Sequence, residues 1–161
     1  MFKYIAILTA IAFSFGGPSY AQTNIDLGGM TVDTSAAIEV ISDSLSVDQD
    51  SGKAVFVGNV IIGQGDLRLS AGQVEIIYTA ETNDIAQLLA TGGVTFVTAD
   101  EAAEAQSAEY DITSGLLTLT GDVLLTQGAS AISAQSMIIN VSTGTASMEG
   151  RVRTVLQQGG N

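Results

Sequence analysis

An all-β fold, built as a stack of V-shaped antiparallel strand layers, is the architecture this 161-residue chain predicts. Three observations carry it. From Ile38 onward, apolar and polar residues alternate over segments of about five residues, the period of a half-buried strand. A phrase then repeats: Gly52 to Gly65 places Gly58-Asn59-Val60 six residues after Gly52, and Gly115 to Gly128 places Gly121-Asp122-Val123 six residues after Gly115. A partial copy runs from Gly144 to Gly150-Arg151-Val152, and Gly92-Gly93-Val94 is a looser one. The recurring glycines are spaced by 34, 29 and 29 residues, a period that marks a repeat architecture. Finally, these glycines interrupt apolar runs, where glycine usually marks a bulge or a sharp bend.

The elements follow in order. Residues 22–36 read as a loose leader. Ile38 and Val40 share one face, then Leu45 and Val47. Ala54 and Phe56 share the next, followed by Val60 and Ile62 beyond Gly58. Leu67 and Leu69, then Val74, Ile76 and Tyr78, continue the pattern. After a turn at residues 79–84 come Leu88 and Ala90, then Val94 and Phe96. Residues 99–108 are rich in Ala and Glu, as a helix would be, but their place in the repeat predicts strand-turn-strand. Ala108, Tyr110 and Ile112 follow, then Leu117 and Leu119, Val123 and Leu125, Met137, Ile139 and Val141, and finally Ala146 and Met148. Gly52, Gly115 and Gly144 each follow Ser or Thr, with Asp48, Asp111 or Asn140 four residues earlier, which is turn chemistry. Gly58, Gly92, Gly121 and Gly150 bend their strands from one facing sheet to the other. The inside is then apolar and the outside polar, and the stack ends in two open strand edges.

Composition narrows the function. Lys3, the apolar run Tyr4 to Phe15, the helix-breaking Gly16-Gly17-Pro18 and Ser19-Tyr20-Ala21 have the form of a secretory signal, residues 1–21, cleaved after Ala21. Its apolar run is short for a bilayer span of about 20 residues; retained, it would be an anchor. The remainder holds four cations against 17 acids, a net charge of −13, which excludes a nucleic-acid surface. With no Cys and no His, the usual thiol nucleophile and general base are missing. There is no phosphate-binding loop, catalytic serine motif or zinc spacing, so no catalytic residue, metal site or cofactor is expected. Asp48 to Gly52 departs from a calcium loop, with Gly one place early and Asn59 where the bidentate Glu belongs. Asp100, Glu101 and Glu104 read as a solvated acidic turn.

Ile38-Glu39-Val40, Ser42-Asp43-Ser44-Leu45, Phe56-Val57-Gly58-Asn59-Val60-Ile61-Ile62-Gly63-Gln64-Gly65 and Leu69-Ser70-Ala71 resemble the start of the LptA/OstA-like domain of the lipopolysaccharide transport family. Met148 to Leu156 resembles its end. The resemblance covers about residues 36–156, and the domain it implies is bounded at 37–156 and followed by a tail at 157–161. It implies an open, twisted β-jellyroll of roughly sixteen short strands. It also implies a non-enzymatic periplasmic protein that binds lipopolysaccharide, joins head to tail with itself by strand-edge pairing, and bridges LptC-like inner-membrane and LptD-like outer-membrane proteins.

The groove that would hold the acyl chains is expected at Ile38, Val40, Leu45, Ala54, Phe56, Val60, Ile62, Leu69, Ile76, Phe96, Tyr110, Leu119, Val123 and Met148. Arg68, Arg151 and Arg153 are the candidate headgroup contacts in an otherwise acidic chain, although Arg68, flanked by Leu67 and Leu69, points outward. Two other readings stand beside this one. An uncleaved N-terminal segment would make the chain an LptC-like anchored component, and a closed interior would make it a self-assembling β-repeat protein that binds no lipid.

Overall fold

The computed structural model describes residues 24–26 and 35–156. The expected signal segment, most of the leader and the 157–161 tail lie outside the described residues. Eleven strands form one antiparallel sheet. They are β1 (Asn24–Asp26), β2 (Glu39–Ile41), β3 (Ser44–Asp48), β4 (Lys53–Gln64), β5 (Leu67–Tyr78), β6 (Ile85–Val97), β7 (Glu101–Asp111), β8 (Leu116–Gln127), β9 (Ser130–Asn140), β10 (Thr145–Glu149) and β11 (Arg153–Val155). Strands β4 to β9 pair in sequence order, each with its neighbour. At one end β4 is flanked by β2 and β3 together; at the other β9 is flanked by β10 and β11.

The class is as expected, but the strands are fewer and longer than the roughly sixteen implied. The reason is the corner. Pairing registers break once near the middle of each long strand, at Val57/Val60 between β4 and β5 and at Thr120/Val123 between β8 and β9. Pairing with the same neighbour resumes directly beyond the break, so two short strands read as one long one. Each long strand thereby contributes half its length to each of two leaves, and the sheet folds along the line of corners.

Two kinds of corner alternate. In β4, β6 and β8 successive inward positions at the corner lie four residues apart, Phe56 and Val60, Ala90 and Val94, and Leu119 and Val123. In β5, β7 and β9 they lie three apart, Ala71 and Val74, Ala105 and Ala108, and Ala134 and Met137. The longer corners hold two consecutive left-handed residues: Gly58-Asn59, Gly92-Gly93 and Gly121-Asp122, with Gly150-Arg151 repeating this between β10 and β11. Left-handed backbone is strained for most L-residues and easy for glycine, which fixes the Gly-x-Val phrase. The neighbouring segment covers each glycine: Asp43, between β2 and β3, lies over Gly58, Gly72 over Gly92, Gln106 over Gly121 and Gln135 over Gly150. Asp43 accepts from Asn59 Nδ2 at 2.8 Å, and Gln106 Nε2 donates to Asp122 at 2.7 Å.

The turns follow the expected chemistry. Asp48 Oδ1 accepts from the Asp50 amide at 2.9 Å, Asp111 Oδ1 from the Ser114 amide at 2.9 Å, and Asn140 Oδ1 from the Ser142 and Thr143 amides, both at 3.1 Å. Hydrogen bonds from the Ser51 hydroxyl and amide, and then from the Asp50 amide, hold Asp48 below the ordinary carboxylate value, and the Ser114 amide does the same for Asp111. Asp48 is thus committed to its own turn, and no group of three or more potential metal ligands occurs among the described residues. The Ala- and Glu-rich residues 99–108 form a turn and the first part of β7, not a helix.

Candidate lipid slit between the leaves

The inner faces of the two leaves meet in a single apolar cluster that includes Val60, Val74, Phe96, Leu119, Met137 and Ile139. Nine of the fourteen residues expected to line a groove are buried there: Ala54, Val60, Ile62, Leu69, Ile76, Phe96, Leu119, Val123 and Met148. Ile38, Val40, Phe56 and Tyr110 are half-buried and pack against the cluster. Leu45 is 54 % exposed, because β3 is an end layer with no strand beyond it among the described residues. The row is therefore continuous from one end of the stack to the other.

The slit is closed. Between the leaves lies a cavity of about 30 Å³ lined by Ile38, Ile62, Gln64, Leu67, Leu69, Leu88, Ala90, Phe96, Ala108, Tyr110, Leu117 and Val141. Pockets for drug-sized ligands run to roughly 300–1,000 Å³, so an acyl chain enters only if the leaves part. At the N-terminal end, space of about 480 Å³ opens beside Leu45, Val47, Ala54, Phe56 and Tyr78. This mouth lies at the end where β2 and β3 present unpaired edges.

The two lips of the slit differ. One carries Tyr78, Tyr110, Ile112 and Val141. The other carries Gln64, Glu101 and Gln127, at inward positions at the ends of β4, β7 and β8, with Leu67 at the start of β5 and Thr98 just beyond β6. Glu101 corrects the reading of a solvated acidic turn: it is 3 % exposed. Its place follows from alternation, since Glu101 and fully buried Ala103 share a face of β7. Gln127 Nε2 donates to Glu101 Oε1 at 2.6 Å, while Glu101 Oε2 and Thr98 Oγ1 have no protein partner. The two residues are joined across their turn by the Thr98 amide donating to the Glu101 carbonyl at 2.9 Å.

Burial first, and then the nearby Asp100 carboxylate, raise Glu101 above its ordinary value of 4.5. Burial likewise raises the Tyr110 hydroxyl. The folded state therefore holds the Glu101 proton more tightly than the unfolded state, so its contribution to stability is complete below about pH 4.5 and is lost as pH climbs through the raised value. Glu101→Gln, which keeps the acceptor for Gln127 and adds a donor beside Thr98, raises the melting temperature near neutral pH. The gain vanishes below about pH 4. Melting curves at the two pH values check this.

The three arginines do not form one site. Arg68 Nη1 donates to the Gly65 and Leu67 carbonyls, each at 2.7 Å, and its guanidinium lies over Gly63 on the outer face. Arg151 stands at the last corner with φ +49°, and Arg153 lies on β11, with four strands between it and β5. Lys53 is paired with Glu75 at 2.7 Å. The slit itself presents an acid and amides at its polar lip, which the sequence reading missed in favour of the cations.

Comparison with known proteins agrees with this architecture. The chain is similar to LptH, the LptA homologous periplasmic component of the conserved lipopolysaccharide transport device from Pseudomonas aeruginosa. The match to that crystal structure has a TM-score of 0.69 and 18 % identity, and covers 79 % of this chain and 99 % of that one. It is also similar to an uncharacterized protein of Rhizobium meliloti (strain 1021), 26 % identical over 145 residues that span 83 % of this chain and 78 % of the relative. The model of the LptA/(LptD N-terminal domain) LPS transport protein family matches residues 39–145, more than half of the chain. The folded β-leaves and the recurrent glycine corners are thus those of a lipopolysaccharide transport domain, and the chain belongs to the LptA/(LptD N-terminal domain) LPS transport protein family.

Proposed function

We propose that this protein is a periplasmic, non-enzymatic bridge that carries lipopolysaccharide from an LptC-like inner-membrane partner to an LptD-like outer-membrane partner, with copies joined head to tail. Family membership supports the substrate class. The observation that carries the reading is the unbroken inward row from Ile38 and Phe56 through Phe96 and Leu119 to Met148, set between leaves whose outermost strands, β2 and β3 at one end and β11 and β1 at the other, carry no further strand among the described residues. An acyl chain of about twelve carbons costs roughly 10 kcal/mol to expose to water, at about 0.8 kcal/mol per CH₂. A row of near-identical aliphatic steps shields it without a deep well that would stall movement.

The acidic rim suits a mode in which the sugar headgroup stays in water or meets the protein through hydroxyl and amide contacts. Arg151 and Arg153, exposed at the C-terminal end, remain the candidate phosphate contacts, while Arg68 is engaged with its own turn. Photo-crosslinking side chains placed at Ile38, Phe56 and Leu119 capture lipopolysaccharide, and one at Val57, which is 44 % exposed on the outer face, does not. Equal labelling at all four positions, or none at any, refutes the slit as the lipid path. The intact mass of the exported protein tests the remaining part: loss of residues 1–21 fits a soluble bridge, and their retention fits an anchored component.

A further inference from the structure

The C-terminal end of the stack is already occupied on one leaf. Strand β1 adds to β10 antiparallel, with Asn24 opposite Ser147, Ile25 opposite Ala146 and Asp26 opposite Thr145. It runs from the corner side of β10 toward the 141–144 turn. At the opposite end, β3 adds to β4 in the same sense, starting at Val57 beside the corner and finishing at Lys53 beside a turn. A second copy stacked on the C-terminal end would lay its β3 on β10 antiparallel, in the direction β1 already takes. The sequences also match in pattern, since Asn24-Ile25-Asp26-Leu27 repeats the polar–apolar alternation of Ser44-Leu45-Ser46-Val47.

We infer that β1 is an intramolecular guard of the C-terminal edge, which must leave β10 before a second copy's β3 can pair there. An unpaired edge is a template for indiscriminate strand addition, and an exported chain meets other edges before it meets its partner. The guard is built to yield. It pairs through three residues on one leaf, whereas the incoming end brings β3 and β2, five and three residues, one for each leaf. The outer side of β11 carries no strand among the described residues, which leaves a foothold from which β1 can be displaced.

This inference rests on the head-to-tail joining proposed above, and the test separates the two. The chain lacks cysteine, so Asn24→Cys with Ser147→Cys places a disulfide directly across the β1–β10 pair. Sedimentation of the exported chain, of a form lacking residues 22–26 and of the oxidised double-cysteine form is followed together with hydrogen exchange at residues 145–149. Deletion is expected to speed exchange in β10 and to lower the concentration needed for association about tenfold. The oxidised lock is expected to remain monomeric until reduced. Identical association of all three forms overturns the guard alone, as does a disulfide that forms between chains instead of within one. No association in any form, the deletion included, overturns the joining itself and the guard with it.

Discussion

Phe96→Ala is expected to destabilise the domain by about 3–5 kcal/mol, the range for a fully buried Phe, and to lower its melting temperature by roughly 10–20 °C for a domain of this size. Phe96 is 0 % exposed, the largest fully buried side chain among the described residues, and sits midway along the stack. Its ring lines the small cavity between the leaves with Leu69, Leu88 and Tyr110. The neighbours cannot collapse into the space, because each is held in ladder register, so transfer and cavity terms both count. Phe56→Ala, in the same inward row but half-buried in an outer layer, is expected to cost less than half as much. Urea unfolding of the two variants measures the difference, and equal losses would show that the central layers carry no more of the core than the ends.

The second large effect lies in the backbone. Gly92 adopts φ +82°, and a Cβ there would stand 3.2 Å from the Gly72 Cα. Gly93 adopts φ +81°, yet a Cβ there would meet nothing within 4 Å. Both alanine variants carry the left-handed strain of about 1–2 kcal/mol. Only Gly92→Ala also forces two strand backbones apart, which adds about 1–3 kcal/mol of overpacking. Gly92→Ala is therefore expected to lose about 2–5 kcal/mol and Gly93→Ala about 1–2. The pair separates steric from conformational cost at adjacent positions. At the other corners, side chains of Asp43, Gln106 and Gln135 lie over the glycine; at this one, backbone faces backbone.

These predictions draw on features unevenly legible in the sequence. The corners were legible because only glycine relieves left-handed strain cheaply, so the geometry is written into one residue type at a fixed spacing. The turns were legible because Asp48, Asp111 and Asn140 use their side chains on local amides. Strand number was not, since a bulge in the letters looks like a break while the ladder runs on through it. Glu101 was misread because neighbouring Asp100 and Glu104 suggested a solvated cluster, although its parity with Ala103 pointed inward. The strand in the leader left almost no trace: Asn and Asp are poor strand formers, and its partner lies more than a hundred residues away. Alternation also does not distinguish a slit from a core. It fixes which side chains meet, while the spacing between the leaves depends on their volumes, and here those volumes nearly fill the space.

The direction of the ladder hydrogen bonds has a mechanical consequence. They run along the stack, from strand to strand, and every close backbone neighbour is a ladder neighbour. What holds one leaf against the other is apolar contact and the spine of glycine corners. Opening such a structure is like opening a book: the pages stay bound while the covers part. On the proposed lipid path, a hydrocarbon chain entering between them would exchange wall-to-wall contact for wall-to-chain contact, so the buried apolar area would change little at each step. A passage with so level a floor would have no slope of its own. Cargo on it would move equally well either way, and the direction of travel would be set by what pushes at one end and what takes up at the other.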